Sequence, residues 1–202
     1  MTEIKYTHLN LKNLGVTTSE FPKPLFDEAM KEIREIQRTW PVKDQYNKNL
    51  AGNIKREYYS EKIKQIVAPF LESLGKEYRE YWDYHPNEDV KLDSTWVNYQ
   101  KKYETNPVHN HSGILSYVAW MQIPYTLEEE QKQDSVKNAR SPYPTYFSFL
   151  YSTLLGPVNN SPIPVEKGWE GKLVMFPSLL MHSVTPFRTS DDYRISISGN
   201  LS

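Results

Sequence analysis

Two of the five histidines of this 202-residue chain are separated by a single residue, in the segment NPVHNHSG at positions 106–113. Alternate side chains of a β-strand point the same way, so a strand here would direct the imidazoles of His109 and His111 to one spot. Imidazoles that converge in this manner are suited to binding a transition metal. The alternative interpretation is a solvated loop in which the pair has no chemical role.

A third histidine and an arginine lie further along the chain. His182 stands in the apolar segment FPSLLMHSVTPF, where a histidine with a satisfied place in the core is the alternative to a metal ligand. In RISISGN, Arg194 and Ser196 share one face of a predicted strand, and the isoleucines share the other. A surface strand would leave the arginine in water. A strand of a ligand-holding barrel would turn it inward, where its planar guanidinium can bind a carboxylate through two parallel hydrogen bonds.

Two amphipathic helices are predicted in the first half of the chain. The apolar residues of KPLFDEAMKEIREIQRTW recur at helical spacing, Pro24 suits a first turn, and the dipeptide WP ends the helix. A second helix is predicted from about Ser60, with a kink at Pro69. Each of these helices should cover an apolar surface.

From Leu92 onward, β-branched and aromatic segments are separated by proline and glycine, which predicts strands. The candidates are STWVNYQKK, ILSYVAWMQIP, TYFSFLYSTLL, GKLVMFP, LLMHSVTPF and YRISISGNL. Helices followed by strands indicate an α+β, mainly β fold of antiparallel sheets. We expect one domain over residues 1–202, with 1–90 as helical support and 91–202 as the core. The polar segment 125–144 is predicted to be either a lid or a disordered surface loop.

Composition limits the classes of function. The net charge of −1 does not support broad contact with nucleic acid, and no apolar run is long enough to cross a membrane. The chain has no cysteine, which excludes disulfides, thiol nucleophiles and thiolate metal sites. Its first fifteen residues lack the features of a secretory signal, so we expect a cytoplasmic location. No feature predicts an oligomeric state.

From Leu92 to the C-terminus the chain resembles the Fe(II)- and 2-oxoglutarate-dependent oxygenases. The similarity is strongest to a prolyl-hydroxylase-like branch of small bacterial and phage oxygenases. The matching segments are WVN at 96–98, HNHSGILSYV at 109–118, GKLVMFPSLLMHSVTPF at 171–187 and RISISGN at 194–200. The last two segments are the most specific.

The resemblance implies a double-stranded β-helix, or jelly roll, with helices packed on one sheet. It implies Fe(II) held by His109, His111 and His182, with 2-oxoglutarate as cosubstrate and O₂ as oxidant. Arg194 would bind the far carboxylate of 2-oxoglutarate, and Ser196 would add a hydrogen bond. Hydroxylation of a small-molecule or peptide substrate, with release of succinate and CO₂, would follow, and no catalytic residue beyond the metal ligands is implied.

The chain departs from the usual pattern of the superfamily at one ligand, because His111 stands where an aspartate or glutamate is common. A three-histidine site brings no negative charge to the metal. A second assignment makes His111 the first ligand and places Gly113 in the carboxylate position, which would leave room for a halide. His109 would then support the metal site without binding the ion.

Three further residues are candidates for contact with the cosubstrate. Asn98 and Tyr99 lie on the predicted strand before the metal motif, and Tyr117 shares strand parity with the two histidines. Each could instead be a core or rim residue. Trp120 could line a substrate cavity, although burial between the sheets is the preferred interpretation.

Two other classes of protein remain open. One is a cupin-like metal enzyme that does not use 2-oxoglutarate, although cupins normally place a glutamate shortly after the histidine pair and this chain has Leu115 and Ser116 there. The other is a jelly-roll binding module without turnover. A zinc hydrolase with an H-x-H-x-D-H motif is disfavoured, since HNHSGI lacks both the aspartate and the adjacent histidine.

Overall fold

The computed structural model describes residues 14–140 and 143–202. The strands in these ranges are β1 (Thr17–Glu20), β2 (Glu57–Tyr59), β3 (Leu92–Gln100), β4 (Asn106–His109), β5 (Leu115–Gln122), β6 (Tyr146–Ser152), β7 (Val158–Pro164), β8 (Lys172–Pro177), β9 (Met181–Val184) and β10 (Arg194–Leu201). The helices are α1 (Lys23–Thr39), α2 (Glu61–Trp82) and α3 (Leu127–Gln131). Of the fifteen residues on which the expectation about a secretory signal rests, the first thirteen lie outside the described ranges.

The strands form two antiparallel sheets. The larger sheet has the order β1-β8-β5-β10-β3-β2, and the smaller has the order β4-β9-β6-β7. From β3 to β10 the chain passes repeatedly from one sheet to the other, which is the connectivity of a jelly roll. The predicted double-stranded β-helix is therefore confirmed.

The two long helices pack on one face of the larger sheet, as the sequence predicts. Helix α1 begins with a proline in its first turn and buries Ala29, Ile33 and Ile36. The side chain of Ser60 caps α2 by accepting a hydrogen bond from the backbone N–H of Ile63 at 3.2 Å. Helix α2 continues through Pro69 without interruption. No helix in the described ranges combines the length and apolarity needed to span a bilayer.

In the described ranges, the core of the protein consists of two apolar clusters. One lies between the helices and the larger sheet and contains Ile195 and Ile197 of β10. The other lies between the two sheets and contains Trp120 and Phe147. Because residues of a strand alternate between its faces, burying the isoleucines under the helices turns Arg194 and its alternating neighbours toward the space between the sheets.

The structure differs from the predicted elements in four places. Strands β1, β2 and β7 were not predicted, and each is short or polar. Strands β1 and β2 form by pairing with strands distant in sequence, whereas β7 forms a hairpin with β6, the strand just before it. The segment 125–144 contains α3, whose buried Glu130 accepts hydrogen bonds from the backbone N–H groups of Arg188 and Thr189. The sequence of the segment does not reveal this anchor, since the donors lie almost sixty residues away.

Candidate metal centre

Three histidines converge between the two sheets. His109 ends β4 and lies opposite His182 in the antiparallel pair of β4 and β9. The ring centroids are 4.3 Å apart for His109 and His182, and 5.0 Å apart for each of the other two pairs. The potential ligand atoms of the three imidazoles all lie within 4.8 Å of one another. This spacing suits a single metal ion bound to all three rings.

His111 reaches the cluster by a different route from the one predicted. Strand β4 ends at His109, so His111 is not on the strand, and strand parity does not orient it. Its backbone N–H donates instead to the carbonyl of Ser178 at 2.9 Å, in the turn that precedes β9. Its ring lies 5.6 Å from that of Trp96, centroid to centroid. The connection after the strand therefore positions this histidine.

Backbone carbonyls fix the tautomers of the other two histidines. Nδ1 of His109 lies 2.7 Å from the carbonyl oxygen of Pro107, and Nδ1 of His182 lies 2.9 Å from that of Leu180. A carbonyl oxygen only accepts, so each Nδ1 carries the proton and donates. The lone pair of each Nε2 is left available for a metal, which is the usual arrangement of metal-binding histidines.

Burial keeps these imidazoles neutral. Desolvation lowers the pKa of His109. Desolvation, together with the neighbouring His109, lowers the pKa of His111 to about 4. Burial also lowers the pKa of His182 to about 3. Because only neutral imidazole binds a metal, all three residues are in the ligand form at neutral pH.

Gly113 does not lie beside the metal cluster. Its φ of +94° is in the left-handed region, and a Cβ built on it would lie 2.8 Å from the carbonyl oxygen of Leu201. The residue therefore faces the end of β10 and not the histidines. The alternative ligand assignment, with a halide in place of a carboxylate at this position, is not supported by the structure.

Arg194 is buried in the same cavity and has only neutral hydrogen-bond partners. Its side chain donates to Oε1 of Gln100 from Nε at 3.1 Å and from Nη2 at 2.6 Å. Nη1 donates to the hydroxyl of Tyr125 at 2.9 Å, and Nη2 also donates to the carbonyl of Thr185 at 3.0 Å. The residue is 2% exposed, and no carboxylate of the described residues forms an ion pair with it. A buried cation without a counter-ion is costly, so this place favours an anionic ligand.

Ser196 and Asn98 continue the polar surface beside Arg194. Nδ2 of Asn98 donates to the hydroxyls of Ser196 and Ser198, each at 3.2 Å. Oδ1 of Asn98 is buried and accepts no hydrogen bond from any described residue. All three residues line the cavity that contains the histidines and Arg194. The structure therefore brings together His109, His111, His182, Arg194, Ser196 and Asn98.

Tyr99 and Tyr117 are placed differently. Tyr99 points to the opposite face of β3 from Asn98, and its hydroxyl donates to the carbonyl of Ile33 in α1 at 2.6 Å. The expected cosubstrate contact of Tyr99 is thus corrected, because adjacent residues of a strand cannot share a face. Tyr117 borders the cavity, but its ring belongs to the core beneath the helices and its hydroxyl lies 3.0 Å from Oγ1 of Thr95.

Several residues of the site were not predicted from the sequence. Gln100 shares strand parity with Asn98, and that signal could have identified it. Tyr125 follows β5 and carries no such signal. The cavity is also lined by Leu50, Ala51, Gly52, Ile54 and Glu57, which come from the half of the chain taken as helical support. None of the described residues of 125–144, the predicted lid, lines the cavity. Trp120 does, while remaining buried.

A jelly roll with converging histidines and an inward arginine on its last strand defines a class of metal-dependent oxygenases. A sequence model of the family described as "Putative 2OG-Fe(II) oxygenase" matches residues 94–200, just over half of the chain. The chain belongs to this family, and the resemblance seen in the sequence is confirmed. It is thereby an enzyme of the 2-oxoglutarate-dependent class. No curated protein matches it by sequence.

Solved structures of similar fold include two prolyl hydroxylases. A prolyl-4-hydroxylase from Pseudomonas putida is 14% identical, with a TM-score of 0.54 over 92% of this chain and 91% of that one. A prolyl hydroxylase from Trichoplax adhaerens, in complex with a peptide fragment of the hypoxia inducible factor, is 12% identical, with a TM-score of 0.53 over 93% and 82% of the two chains. AviO1 from Streptomyces viridochromogenes is 10% identical, with a TM-score of 0.57 over 93% and 89%. At these identities the likeness supports the fold.

Proposed function

We propose that this protein is an Fe(II)- and 2-oxoglutarate-dependent oxygenase that hydroxylates a small-molecule or peptide substrate. The observation that carries the proposal is the placement of Arg194. A buried guanidinium without a carboxylate partner lines the same cavity as three converging neutral imidazoles. Such a cavity suits a ligand that has an anionic group at one end and metal-chelating oxygens at the other, as 2-oxoglutarate does.

The donor set fits Fe(II). His109, His111 and His182 would hold the ion through three nitrogen atoms, and imidazole is a suitable ligand for iron. For His109 and His182 the available atom is Nε2, since Nδ1 of each ring is engaged by a backbone carbonyl. With three protein ligands, further positions on the ion stay open for other molecules.

A row of polar side chains beside the metal, formed by Arg194, Ser196 and Asn98 and called the polar row below, suits the binding of 2-oxoglutarate. Arg194 would bind the far carboxylate of 2-oxoglutarate, and Gln100 and Tyr125 hold its guanidinium in place for this role. The hydroxyl of Ser196 would add a hydrogen bond, with Asn98 orienting that hydroxyl through Nδ2. The surrounding aromatic residues Phe147 and Phe176 exclude water from the metal side of the cavity.

When bound, iron and 2-oxoglutarate supply the activation of O₂. One oxygen atom would pass to succinate as 2-oxoglutarate loses CO₂, and the other would be inserted into a C–H bond of the substrate to give a hydroxyl group. The residues of this chain bind, orient and desolvate the reactants, and no separate acid or base is needed. The peptide complex of the Trichoplax hydroxylase makes a peptide one reasonable substrate class.

An anaerobic titration tests the proposal. Fe(II) is added to the metal-free protein and then 2-oxoglutarate, and the visible charge-transfer band of the iron–ketoacid chelate is recorded. We expect the band in the native protein, its loss in His182→Ala, and a requirement for much more 2-oxoglutarate in Arg194→Ala. Arg38→Ala, a change on the exposed end of α1, is the matched control and should leave the titration unchanged.

Two other outcomes would replace the proposal. Iron binding without a band at any concentration of 2-oxoglutarate would indicate a cupin-like enzyme with a different cosubstrate requirement. Failure to bind iron, manganese or zinc would indicate a jelly-roll binding module without turnover.

A further inference from the structure

Glu57 is a buried carboxyl group in the same cavity that the proposed reaction does not use. It lies on β2 at the edge of the larger sheet and is 1% exposed. Among the described residues that line the cavity, Glu57 and Arg194 are the only ones besides the histidines that can carry a charge. They are not paired with each other, and Glu57 forms no ion pair with a described residue.

Strand register places Glu57 at the opposite end of the polar row from the arginine. Glu57 lies opposite Asn98 in the pair of β2 and β3, and Asn98 lies opposite Ser196 in the pair of β3 and β10. Arg194 precedes Ser196 by two residues on β10. Strand spacing therefore separates the Cα atoms of Glu57 and Arg194 by roughly 12 Å. 2-Oxoglutarate carries two negative charges, so when held by Arg194 and the metal it would not occupy the space beside the carboxyl group of Glu57.

Hydrogen-bond acceptors dominate this end of the cavity. One carboxyl oxygen of Glu57, Oε2, accepts from Nδ2 of Asn47 at 3.2 Å, and Oδ1 of the neighbouring Asn106 is buried without a partner among the described residues. Oε1 and Oδ1 of Asn106 both lie beside Gly52, where a Cβ would come within 2.8 Å of Oε1. Oδ1 of Asn98, across from Glu57 in the register, is buried without a partner. Unsatisfied buried acceptors at a lined cavity are explained by a ligand that brings donors.

The carboxyl group is outside the metal cluster. The ligand atoms that lie within 4.8 Å of one another belong to the three histidines, and Glu57 does not join them. Burial, reinforced by the nearby Glu104, raises the pKa of Glu57 to about 8. An incoming cation would favour its ionised form and relieve this cost.

We propose that Glu57, with Oδ1 of Asn98, recognises a positively charged nitrogen group on the primary substrate, an ammonium or a guanidinium. This inference rests on the proposed function for the identity of the reaction, and it names the substrate class. The substrate end of the cavity is the edge closed by Leu50–Ile54, and the cosubstrate end is at Arg194. A basic amino acid, a polyamine-like metabolite and a basic side chain of a peptide share this chemistry.

Calorimetry with defined probes tests the inference. n-Butylamine and methylguanidine are titrated into the protein, with butan-1-ol and N-methylurea as neutral isosteres. We expect the cations to bind at least about tenfold more tightly than their isosteres, and Glu57→Gln to lose this preference. The matched control Glu61→Gln changes an exposed carboxylate at the start of α2 and should keep it. L-Lysine and a capped Gly-Lys-Gly peptide then distinguish a free metabolite from a peptide.

The outcomes separate this inference from the proposed function. The titrations are made first in metal-free protein, so they do not depend on iron or 2-oxoglutarate. Cation binding without the charge-transfer band would overturn the proposed function alone. The band without a preference for cations, or with the preference retained in Glu57→Gln, would overturn the inference alone. If Glu57→Gln fails to fold, Gly52→Ala supplies a second variant, because its methyl group would crowd Oδ1 of Asn106 and Oε1 of Glu57, displace both side-chain ends and so weaken cation binding.

Discussion

Gln100 and Arg194 face each other across β3 and β10, and a single amide oxygen of Gln100 accepts two hydrogen bonds from the guanidinium, at 3.1 and 2.6 Å. A neutral amide holds the arginine in position but leaves its charge uncompensated. The pairing therefore preorganises the guanidinium for an anion while keeping it available. A carboxylate at position 100 would hold it equally well and would also neutralise it.

Gln100→Glu tests this relationship directly. The new carboxylate should form a buried ion pair with Arg194 and compete with 2-oxoglutarate, weakening cosubstrate affinity by about tenfold or more. The dissociation constant from the charge-transfer titration measures the effect. Gln65→Glu, on the surface of α2, is the control. An unchanged affinity in Gln100→Glu would show that Arg194 does not bind the cosubstrate.

Removal of one imidazole should abolish tight metal binding. His182 is buried between Phe147, Phe176 and the other two histidines, and its Nδ1 is committed to the carbonyl of Leu180. His182→Ala leaves two ligands, so we expect Fe(II) affinity to fall by at least about a hundredfold. Equilibrium dialysis with metal analysis provides the measurement. His85→Ala removes an imidazole that is paired with Glu88 and is not part of the cluster, so this variant should bind iron normally. Equal losses in both variants would contradict the assignment.

The raised pKa of Glu57 predicts how its contribution to stability depends on pH. The carboxyl group titrates near 4.5 when unfolded and near 8 in the folded protein, so the native state retains its proton over this interval. Stability is therefore present at low pH and is lost as the pH rises from 4.5 to 8, by about 3 to 5 kcal/mol. The three histidines have lowered pKa values, so their contribution to stability falls as the pH drops below 6.5, which is the opposite dependence. This contribution is the same in the native protein and in a Glu57 variant, so it cancels when the two are compared.

Urea unfolding of metal-free native protein and Glu57→Gln isolates this effect. The variant cannot ionise at position 57, so its stability relative to the native protein should increase as the pH rises from 5.5 to 8.5. A chelator keeps the protein metal-free and the buffer contains no amine, because a bound cation would lower the pKa of Glu57. A constant difference between the two proteins across this range would contradict the raised pKa.

Glu130 anchors α3 to the segment at Arg188 and Thr189, and this anchor should be important for the stability of the fold and not for metal binding. The buried carboxylate of Glu130 accepts from the backbone N–H and hydroxyl of Thr189 at 2.7 and 2.6 Å, and from the N–H of Arg188 at 2.8 and 3.0 Å. Glu130→Ala leaves these donors unsatisfied and should destabilise the fold by about 2 to 4 kcal/mol. Urea unfolding measures the loss, with the exposed Glu128→Ala as control. A loss below about 1 kcal/mol would show that the donors find other partners.

Strand periodicity allowed part of the site to be predicted from the sequence. On β10, polar and apolar residues alternate so regularly that Arg194 and Ser196 had to share a face, and the family resemblance indicated that this face is the inner one. The same alternation on β3 should have separated Asn98 from Tyr99. Only Asn98 lines the cavity, since the pleat of a strand directs adjacent side chains to opposite sides.

By itself, the sequence determined the identity of the donors, the strand faces of Arg194 and Ser196, and the two helices that cover the sheet. These follow from residue type and local periodicity, which act over a few residues. The tertiary structure decided which distant segments meet those donors. It positioned His111 through the carbonyl of Ser178, held Arg194 through Tyr125, and brought Glu57 to the cavity by pairing β2 with β3. Such contacts depend on sheet pairing between residues far apart in the chain, and no local pattern encodes them.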